Sequence, residues 1–323
     1  MGKYKLSKLV SLFRKFGGIR LLVAYSRLGV LGAAIKSWLK GVIKRTSADL
    51  VFYSYEPAIV SAVQAKYRTV MKESLQKYDR AADPRVRSNL VWFCWLQGID
   101  NAPLIVKVCY QSIEDNLKGK EIRIIDESNR RNYVQLPDYI EERYKKGQIP
   151  HAMFSDLLRL ELLIKYGGSW IDSTVFCSSP EYPKALLDAD LFFFQYARPN
   201  NRAYAGISNW FITSCSNNPT LMTLRDMLYA YWAEFNCVVE YFIFHRFFDM
   251  IAYTRPEVLT EMPYAYSPNS HLLLRHWAET FDQTKWDKVT KRICFHKLAH
   301  QVDESVIKGQ NNYYNHIIRE YAE

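Results

Sequence analysis

Several absences narrow the class of protein before any motif does. The chain of 323 residues has six cysteines, with no C-x-x-C pair and no spacing typical of zinc ligands. A chain of this length can bury a core without disulfides, so we expect free thiols and a reducing, cytoplasmic compartment. There is no internal repeat and no low-complexity tract. The content of 49% apolar and 15% aromatic residues is typical of a folded globular protein.

Acidic residues are almost missing from the first 50 positions. Eleven Lys or Arg residues stand there against one acid, Asp49, and this excess equals the +10 net charge of the whole chain. The remaining residues are therefore balanced in charge. Because the body of the chain carries none of the usual nucleic-acid-binding motifs, the basic charge does not indicate a nucleic-acid partner.

The basic segment has the pattern of amphipathic helices. Apolar residues recur at helical spacing in two stretches, with lysines between them or on another face: Leu6, Leu9, Val10 and Phe13 with Lys5, Lys8 and Lys15, then Leu31, Ile35, Trp38, Leu39 and Val42 with Lys36, Lys40 and Lys44. Such helices suit an anionic membrane surface; the alternative is that they pack on the protein's own body. Arg20 and Arg27 interrupt the most apolar stretch, so we expect neither a spanning helix nor a secretory signal.

The rest of the chain has the alternation of an α/β protein, with βαβ units and helices on the faces of a sheet. We divide the whole chain into basic helices (1–50), a helical lead-in and linker (51–88) and a main domain (89–323). The halves of the main domain are 89–180 and 181–323. The predicted strands are 90–95, 121–126, 169–176, 190–196 and 206–213, and the main predicted helices are 57–78, 104–117, 137–147, 152–166, most of 219–253, and 311–323. In such sheets, ligands bind outside the carboxyl ends of the strands.

Three stretches bring chemical groups to that region. Asp156 and Arg159 lie three residues apart near the start of a helix, so they share a face at the end that favours anions; capping by Ser155 is the structural alternative. Asp172 follows two glycines and falls near the end of a strand. Near the C-terminus, a third stretch holds two histidines and a lysine: His296, Lys297 and His300.

The order of these stretches resembles the capsular polysaccharide synthesis protein family, which is related to family 32 glycosyltransferases and more distantly to the clostridial glucosylating toxins. The resemblance covers roughly residues 90–300 and rests on "WLQGIDNAP", "FSDLLRLELLIKYGGSWIDSTVFCSSP", "ISNWFI", "EYFIFHRFFD" and "HKLAH". It implies a GT-A fold, in which a nucleotide-binding mixed sheet is followed by an acceptor-binding part. It also implies transfer of a sugar from a nucleotide diphosphate, usually UDP.

The resemblance also implies roles for single residues at the first strand. Trp95 matches an aromatic residue that stacks on the nucleotide base, and Gln97 and Gly98 form the turn beside it. Core packing is the structural alternative for Trp95, as for any lone tryptophan at the end of a strand.

Further along the chain, Asp156 and Arg159 match a pair that holds the ribose or donor sugar and the diphosphate. Trp170 stands where related enzymes carry an aromatic residue beside the phosphates. Asp172 matches the first acid of an Asp-x-Asp motif, which contacts the ribose and a divalent cation. Thr174 replaces the second acid of that motif.

The threonine leaves the cation site with few protein ligands, whereas a hard cation needs several oxygen ligands. We expect Mn²⁺ or Mg²⁺ to be held by Asp172, with His296 as a second ligand. In the alternative, Lys297 and His300 neutralise the leaving diphosphate directly.

The resemblance implies transfer with retention of anomeric configuration, through a front-face reaction that needs no strong protein base. If the enzyme inverts, Glu240 is the candidate base; its structural alternative is a surface carboxylate on an aromatic-rich helix. We therefore expect a UDP-sugar-dependent glycosyltransferase that extends a polyprenyl-diphosphate-linked capsular or surface polysaccharide, bound to the inner face of a bacterial membrane. The alternatives are a non-catalytic, membrane-associated protein that binds sugar nucleotides in an assembly complex, and a nucleotide-sugar hydrolase.

Overall fold

The structure, a computed structural model, describes residues 18–44, 46–80, 83–196 and 206–321, so the first predicted amphipathic helix lies outside the described residues. The elements are α1 (Ile19–Arg27), α2 (Leu31–Lys44), α3 (Ala48–Asp79), β1 (Leu90–Cys94), α4 (Leu104–Asn116), β2 (Glu121–Ile125), α5 (Arg130–Tyr133), α6 (Asp138–Lys145), α7 (His151–Tyr166), β3 (Gly168–Asp172), β4 (Val175–Cys177), α8 (Ala185–Asp188), β5 (Leu191–Gln195), β6 (Ile207–Ser214), α9 (Pro219–Glu234), α10 (Ile243–Thr254), α11 (Glu257–Thr260), α12 (Ser267–Ser270), α13 (Leu272–His276), α14 (Gln283–Thr290), β7 (Phe295–Lys297), α15 (Glu304–Lys308) and α16 (Tyr313–Tyr321).

A five-stranded mixed sheet in the order β2-β1-β3-β6-β5 forms the centre of the fold. Strand β1 is parallel to β2 and to β3, whereas β6 is antiparallel to β3 and to β5. The predicted α/β class with a mixed sheet is therefore confirmed. The three parallel strands end at one edge, where Trp95, Asp126 and Asp172 follow or close them.

Both faces of the sheet are covered, and this explains the continuous apolar strand sequences. Successive side chains of a strand point to opposite faces. Accordingly, Trp92 joins the core formed with α7, α9 and α10, whereas Val91 and Phe93 join the core formed with α4 and α16. Most side chains of the central strands are fully buried, as is typical of a sheet between two layers.

The predicted strand 169–176 is the main departure from the sequence-based expectation. It breaks at residues 173–174, giving β3 and the short strand β4. Strand β4 leaves the main sheet and pairs antiparallel with β7, with Val175 opposite Lys297. Strand β7 was not predicted, because a three-residue strand paired across more than 100 residues has no local sequence pattern.

The first helices pack on the body of the protein. Helices α1 and α2 and the turn between them bury Leu21, Tyr25, Val30 and Ala34 in the same core as α3. Helix α3 begins at Ala48, capped by Ser47, rather than at residue 57, and packs along α9 and α10. In the described part of this segment, one face of each helix therefore packs on the body. None of the described helices is long and apolar enough to cross a membrane.

A substitution at Gly168 tests how closely the backbone of β3 approaches that of β1. Its φ is +91°, and a Cβ atom there would lie 2.3 Å from the carbonyl oxygen of Leu90. We expect Gly168→Ala to lower the free energy of unfolding by roughly 3 kcal/mol or more, because backbone strain and a backbone clash add together. Gly119→Ala is the matched control, since Gly119 has φ +87° and open space around it, and should lose about 1 kcal/mol. Equal losses in urea unfolding would contradict the close approach.

Candidate functional site

Asp172 lies at the carboxyl end of β3, opposite Cys94 of β1, with its side chain 24% exposed. Its Oδ1 accepts a hydrogen bond from the indole N–H of Trp170 at 2.8 Å, and its Oδ2 accepts one from Nζ of Lys297 at 2.9 Å. Burial alone would raise the pKa of Asp172, but the charges of Lys297 and Arg159, together with the hydrogen bonds from Trp170 and Lys297, hold the pKa below its usual range. The carboxyl group is therefore ionised at neutral pH.

Arg159 on α7 joins the two acids of the site. Its guanidinium group lies 3.1 Å from Oδ1 of Asp156 and 3.4 Å from Oδ1 of Asp172. It also lies over the ring of Trp170, 4.9 Å from the centroid, and donates to the carbonyl oxygen of Asn209. Because its side chain is only 5% exposed, the cation is held in a fixed position beside the end of β3.

Ser155 does not cap α7. That helix begins at His151 after Pro150, and the hydroxyl group of Ser155 donates to the carbonyl of Ala152 within the helix. The same oxygen accepts a hydrogen bond from Arg159 at 3.1 Å. Ser155 thus helps to orient the arginine rather than to start the helix.

Asp156 is a buried acid of unusual proton affinity. Its Oδ1 accepts from the side-chain amide of Asn209 at 2.8 Å and lies 3.1 Å from Arg159. Burial and, to a smaller extent, the charge of Asp172 raise the pKa of Asp156 to about 6, against the lowering effects of the Arg159 charge and the Asn209 hydrogen bond. This carboxyl group therefore changes its charge close to physiological pH.

Lys297 reaches the same point from β7. Its Nζ donates to Oγ1 of Thr174 at 2.6 Å as well as to Oδ2 of Asp172 at 2.9 Å. The pairing of β4 with β7 and a hydrogen bond from the backbone N–H of Leu298 to the carbonyl of Thr174, 2.8 Å long, fix the position of this lysine. The ammonium group thus bridges the two motif positions 172 and 174.

Trp95 and His300 form the aromatic side of the site, with ring centroids 5.6 Å apart in an edge-to-face arrangement. Trp95 packs partly against the core, yet its buried indole N–H has no hydrogen-bond partner among the described residues. Gly98, with φ +83°, closes the following turn through a 2.9 Å hydrogen bond to the carbonyl of Trp95. Gln97 is exposed and lines a surface cavity of about 510 Å³ beside this turn.

His296 is not brought to Asp172. It alternates with Lys297 along β7 and is fully buried, with Nε2 2.9 Å from the hydroxyl of Ser178 and its ring 6.1 Å from that of Phe176. Burial lowers the pKa of His296 to about 3. The expectation that His296 is a metal ligand beside Asp172 is therefore not supported, because strand alternation points its ring into the core.

Glu240 is not free to act as a base, and it is not a surface carboxylate on a helix. It precedes α10, is 2% exposed, and accepts hydrogen bonds from the backbone of Phe242 at 2.9 Å and from Arg246 at 3.1 Å. Arg246 also pairs with Glu56 of α3 at 2.6 Å. Both sequence-based interpretations of Glu240 are corrected: it belongs to a buried ion-pair chain that ties α3 to α10.

Two residues near the site were not predicted from the sequence to have a role. Asn209 on β6 bonds Asp156 and Arg159, and its signal was a polar residue within the apolar stretch "ISNWFI". His245 on α10 has a buried Nδ1 with no partner among the described residues, and its pKa is lowered to about 3 by burial and by the nearby charges of Arg159 and Arg246. Nothing in the spacing of the sequence distinguished it from neighbouring core positions.

Taken together, two fixed cations and two carboxylates meet at the ends of the parallel strands. The cations Arg159 and Lys297 are suited to an anionic group, and the carboxylates of Asp156 and Asp172 are suited to hydroxyl groups. An exposed turn and aromatic rings lie beside them. The arrangement suits a ligand that is both polyhydroxylated and anionic.

The raised pKa of Asp156 predicts a specific pH dependence of stability. The folded protein holds this proton up to about pH 6, whereas an unfolded aspartate loses it near pH 3.8. The stabilisation from this proton is thus complete below pH 3.8 and lost as the pH rises through 6. Asp156→Asn should therefore gain stability relative to the wild type between pH 4 and pH 7, by roughly 2–3 kcal/mol.

Urea unfolding at several pH values measures this difference, with Asp138→Asn as the control at an exposed acid on α6. The control variant should follow the wild-type profile. Parallel profiles for wild type and Asp156→Asn would contradict the raised pKa.

Comparisons with known proteins place the chain in a family. No curated protein sequence matches it. A solved structure described as "PaToxG Glycosyltransferase" matches with 14% sequence identity and a TM-score of 0.37, covering 80% of this chain and 94% of that one, which is too distant to assign function. The family model described as "Capsular polysaccharide synthesis protein" matches residues 53–317, most of the chain and every residue of the site. The chain therefore belongs to the capsular polysaccharide synthesis protein family.

Proposed function

We propose that this protein is a glycosyltransferase that moves a sugar from a nucleoside diphosphate to a growing polysaccharide. The proposed nucleoside diphosphate is UDP. Family membership supports a role in polysaccharide synthesis. The observation that carries the proposal is the position of two buried or half-buried cations and two carboxylates at the ends of β1 and β3. A sugar nucleotide offers the matching groups, a diphosphate and several hydroxyls.

In this proposal, Arg159 and Lys297 bind the diphosphate, and Asp172 accepts a hydrogen bond from the ribose. Asp156, supported by Asn209, accepts from a hydroxyl of the donor sugar. The base stacks on the ring of Trp95, with Gln97, Gly98 and His300 around it and Trp170 beside the phosphates. The cavity beside the exposed turn at Gln97 leaves space for a ligand on this side.

The reaction needs charge stabilisation on the leaving diphosphate and correct placement of the acceptor hydroxyl. Because Glu240 is buried in ion pairs, it supplies no base for an inverting reaction. We therefore favour retention by a front-face reaction, in which the leaving phosphate oxygen takes the proton of the acceptor hydroxyl. The proposed acceptor is a polyprenyl-diphosphate-linked oligosaccharide.

Release of UDP tests the proposed function. The protein is incubated with a panel of UDP-sugars, with and without a lipid-linked oligosaccharide acceptor, and we expect release that depends on the acceptor. Asp172→Asn should lower the rate by roughly 100-fold or more, because the charge that orients Lys297, Arg159 and the ribose is lost.

The outcomes of this assay separate the competing functions. Binding of UDP-sugars without release of UDP in either condition favours the non-catalytic binding protein. The replacement of the second acid by Thr174 is the sequence feature that supports this alternative. Release that needs no acceptor favours a hydrolase. If Asp172→Asn destabilises the fold while the molecules that stay folded keep the wild-type activity, Asp172 has a structural role.

We also propose that α2 contacts an anionic membrane, on the cytoplasmic face where such acceptors are extended. One face of this helix is buried, but Ile35, Leu39 and Ile43 form an exposed stripe at i, i+4 spacing and are 44%, 60% and 79% exposed. A second exposed stripe, Lys36, Lys40 and Lys44, runs directly beside it. Adjacent apolar and basic stripes combine the two forces that bind a helix to an anionic surface.

Paired substitution of the apolar stripe tests this contact. Leu39→Gln with Ile43→Gln should reduce sedimentation with anionic vesicles, and high salt should do the same in the wild type, since exposed charges are screened over about 10 Å at 0.1 M. Ile307→Gln, at a side chain that is 50% exposed on α15, is the control. Equal sedimentation of all three proteins would contradict membrane contact through α2. Removal of the whole segment is unsuitable, because α1 and α2 contribute to the core.

A further inference from the structure

The residues at Asp172 do not fit a divalent cation. A hard cation takes about six or more oxygen ligands, and Asp-x-Asp sites supply carboxylates from both acids. Here the second position is Thr174, and His296 points into the core. Among the residues that the structure describes, no group of three or more His, Cys, Asp or Glu side chains could hold a metal ion.

The place between the two motif positions is taken by a lysine. The Nζ of Lys297 lies 2.9 Å from Oδ2 of Asp172 and 2.6 Å from Oγ1 of Thr174, so one ammonium group bonds both. The other carboxylate oxygen of Asp172 is engaged by Trp170 and Arg159. A metal ion at this point would have to displace the ammonium group from its two partners.

The charge balance agrees with such an exchange. Two motif carboxylates with a divalent cation sum to zero, and so do one carboxylate and one ammonium group. Replacing the second acid by a threonine removes one negative charge and leaves a hydroxyl that accepts a hydrogen bond from the lysine. Thr174 and Lys297 therefore complement each other as a pair, whereas a threonine beside a metal ion is a weak ligand.

The lysine is also held rigidly, as an electrostatic group must be to stabilise a developing charge. Lys297 pairs with Val175 across β4 and β7, and the backbone N–H of Leu298 donates to the carbonyl of Thr174 at 2.8 Å. On the preceding residue of β7, His296 is anchored by Ser178 at 2.9 Å. The strand pair thus fixes the lysine beside Thr174 through backbone contacts.

We propose that the ammonium group of Lys297, positioned by Thr174 and Asp172, takes the place of the divalent cation and binds the diphosphate of the sugar donor, so that the protein needs no metal. This inference rests on the proposed glycosyltransferase function. In the transfer step, the bond between the sugar C1 and the β-phosphate oxygen breaks, and its electron pair stays on that oxygen. An N–H of Lys297 donates to this oxygen, while the acceptor oxygen bonds C1 and releases its proton to the phosphate.

Calorimetric binding of UDP to the full chain tests the inference without relying on turnover. After exhaustive treatment with EDTA, we expect the UDP affinity to remain within about twofold of that in Mn²⁺ or Mg²⁺, since no bound metal contributes. Lys297→Ala should weaken UDP binding by roughly 10- to 100-fold in both conditions, the range for loss of a charge-assisted hydrogen bond. Lys297→Arg should recover part of the loss, and Lys107→Ala on the exposed surface of α4 is the control.

A double variant gives a sharper reading. Thr174→Asp with Lys297→Ala restores the second acid and removes the ammonium group, so UDP binding should become dependent on Mn²⁺. Thermal unfolding of each variant confirms that loss of binding is not loss of folding. The single variant Thr174→Ala should weaken UDP binding less than Lys297→Ala, because Asp172 still holds the lysine.

The outcomes distinguish this inference from the proposed function. If EDTA abolishes UDP binding and Mn²⁺ restores it in the wild type, the role of Lys297 is wrong while the glycosyltransferase proposal stands. Unchanged UDP affinity in Lys297→Ala also overturns that role. If the wild type binds no UDP and no other nucleoside diphosphate with or without metal, both proposals fall.

Discussion

The site depends on the charge compensation of one largely buried carboxylate, Asp172. Burial would favour its neutral form, whereas the charges of Lys297 and Arg159 and the hydrogen bonds from Trp170 and Lys297 keep it ionised. These two cations come from β7 and α7, so the ion pairs also join a late strand and a central helix to the end of β3. Removing Asp172 leaves the ammonium group of Lys297 without its carboxylate partner, which costs more than an intact pair contributes.

The backbone makes this convergence possible. Strands β1 and β3 are parallel and in direct register, so Cys94 and Asp172 end side by side, and the chain then leaves the sheet to form β4. Gly168 allows β3 to approach the carbonyl of Leu90 where a side chain would collide. Since a parallel sheet collects its strand ends at one edge, residues from distant segments of the chain meet there without a dedicated binding loop.

The same framework fixes the helices outside the sheet. Arg246 bonds Glu240 and Glu56, so α10, which carries His245 near Arg159, is tied to α3. Helix α3 in turn packs with α2, whose outer face carries the adjacent apolar and basic stripes. If α2 contacts a membrane as proposed, this rigid connection sets the distance between the bilayer and the proposed diphosphate site. The acceptor would then meet the donor at a constant height above the lipid.

The sequence by itself determined the α/β class, nearly all strands of the main sheet to within one or two residues, and the family, because these follow from local apolar patterns and from one long ordered motif. It also singled out candidate site residues: Asp156, Arg159 and Asp172 from their places in predicted elements, and Lys297 from its cluster with two histidines. Only the tertiary structure decided their relations. The short β4–β7 pairing, which has no local pattern, turns Lys297 toward Thr174 and His296 into the core, and the burial of Glu240 against Arg246 depends on helices almost 200 residues apart. Spacing along a chain fixes which residues share an element, whereas orientation and burial depend on packing between distant elements.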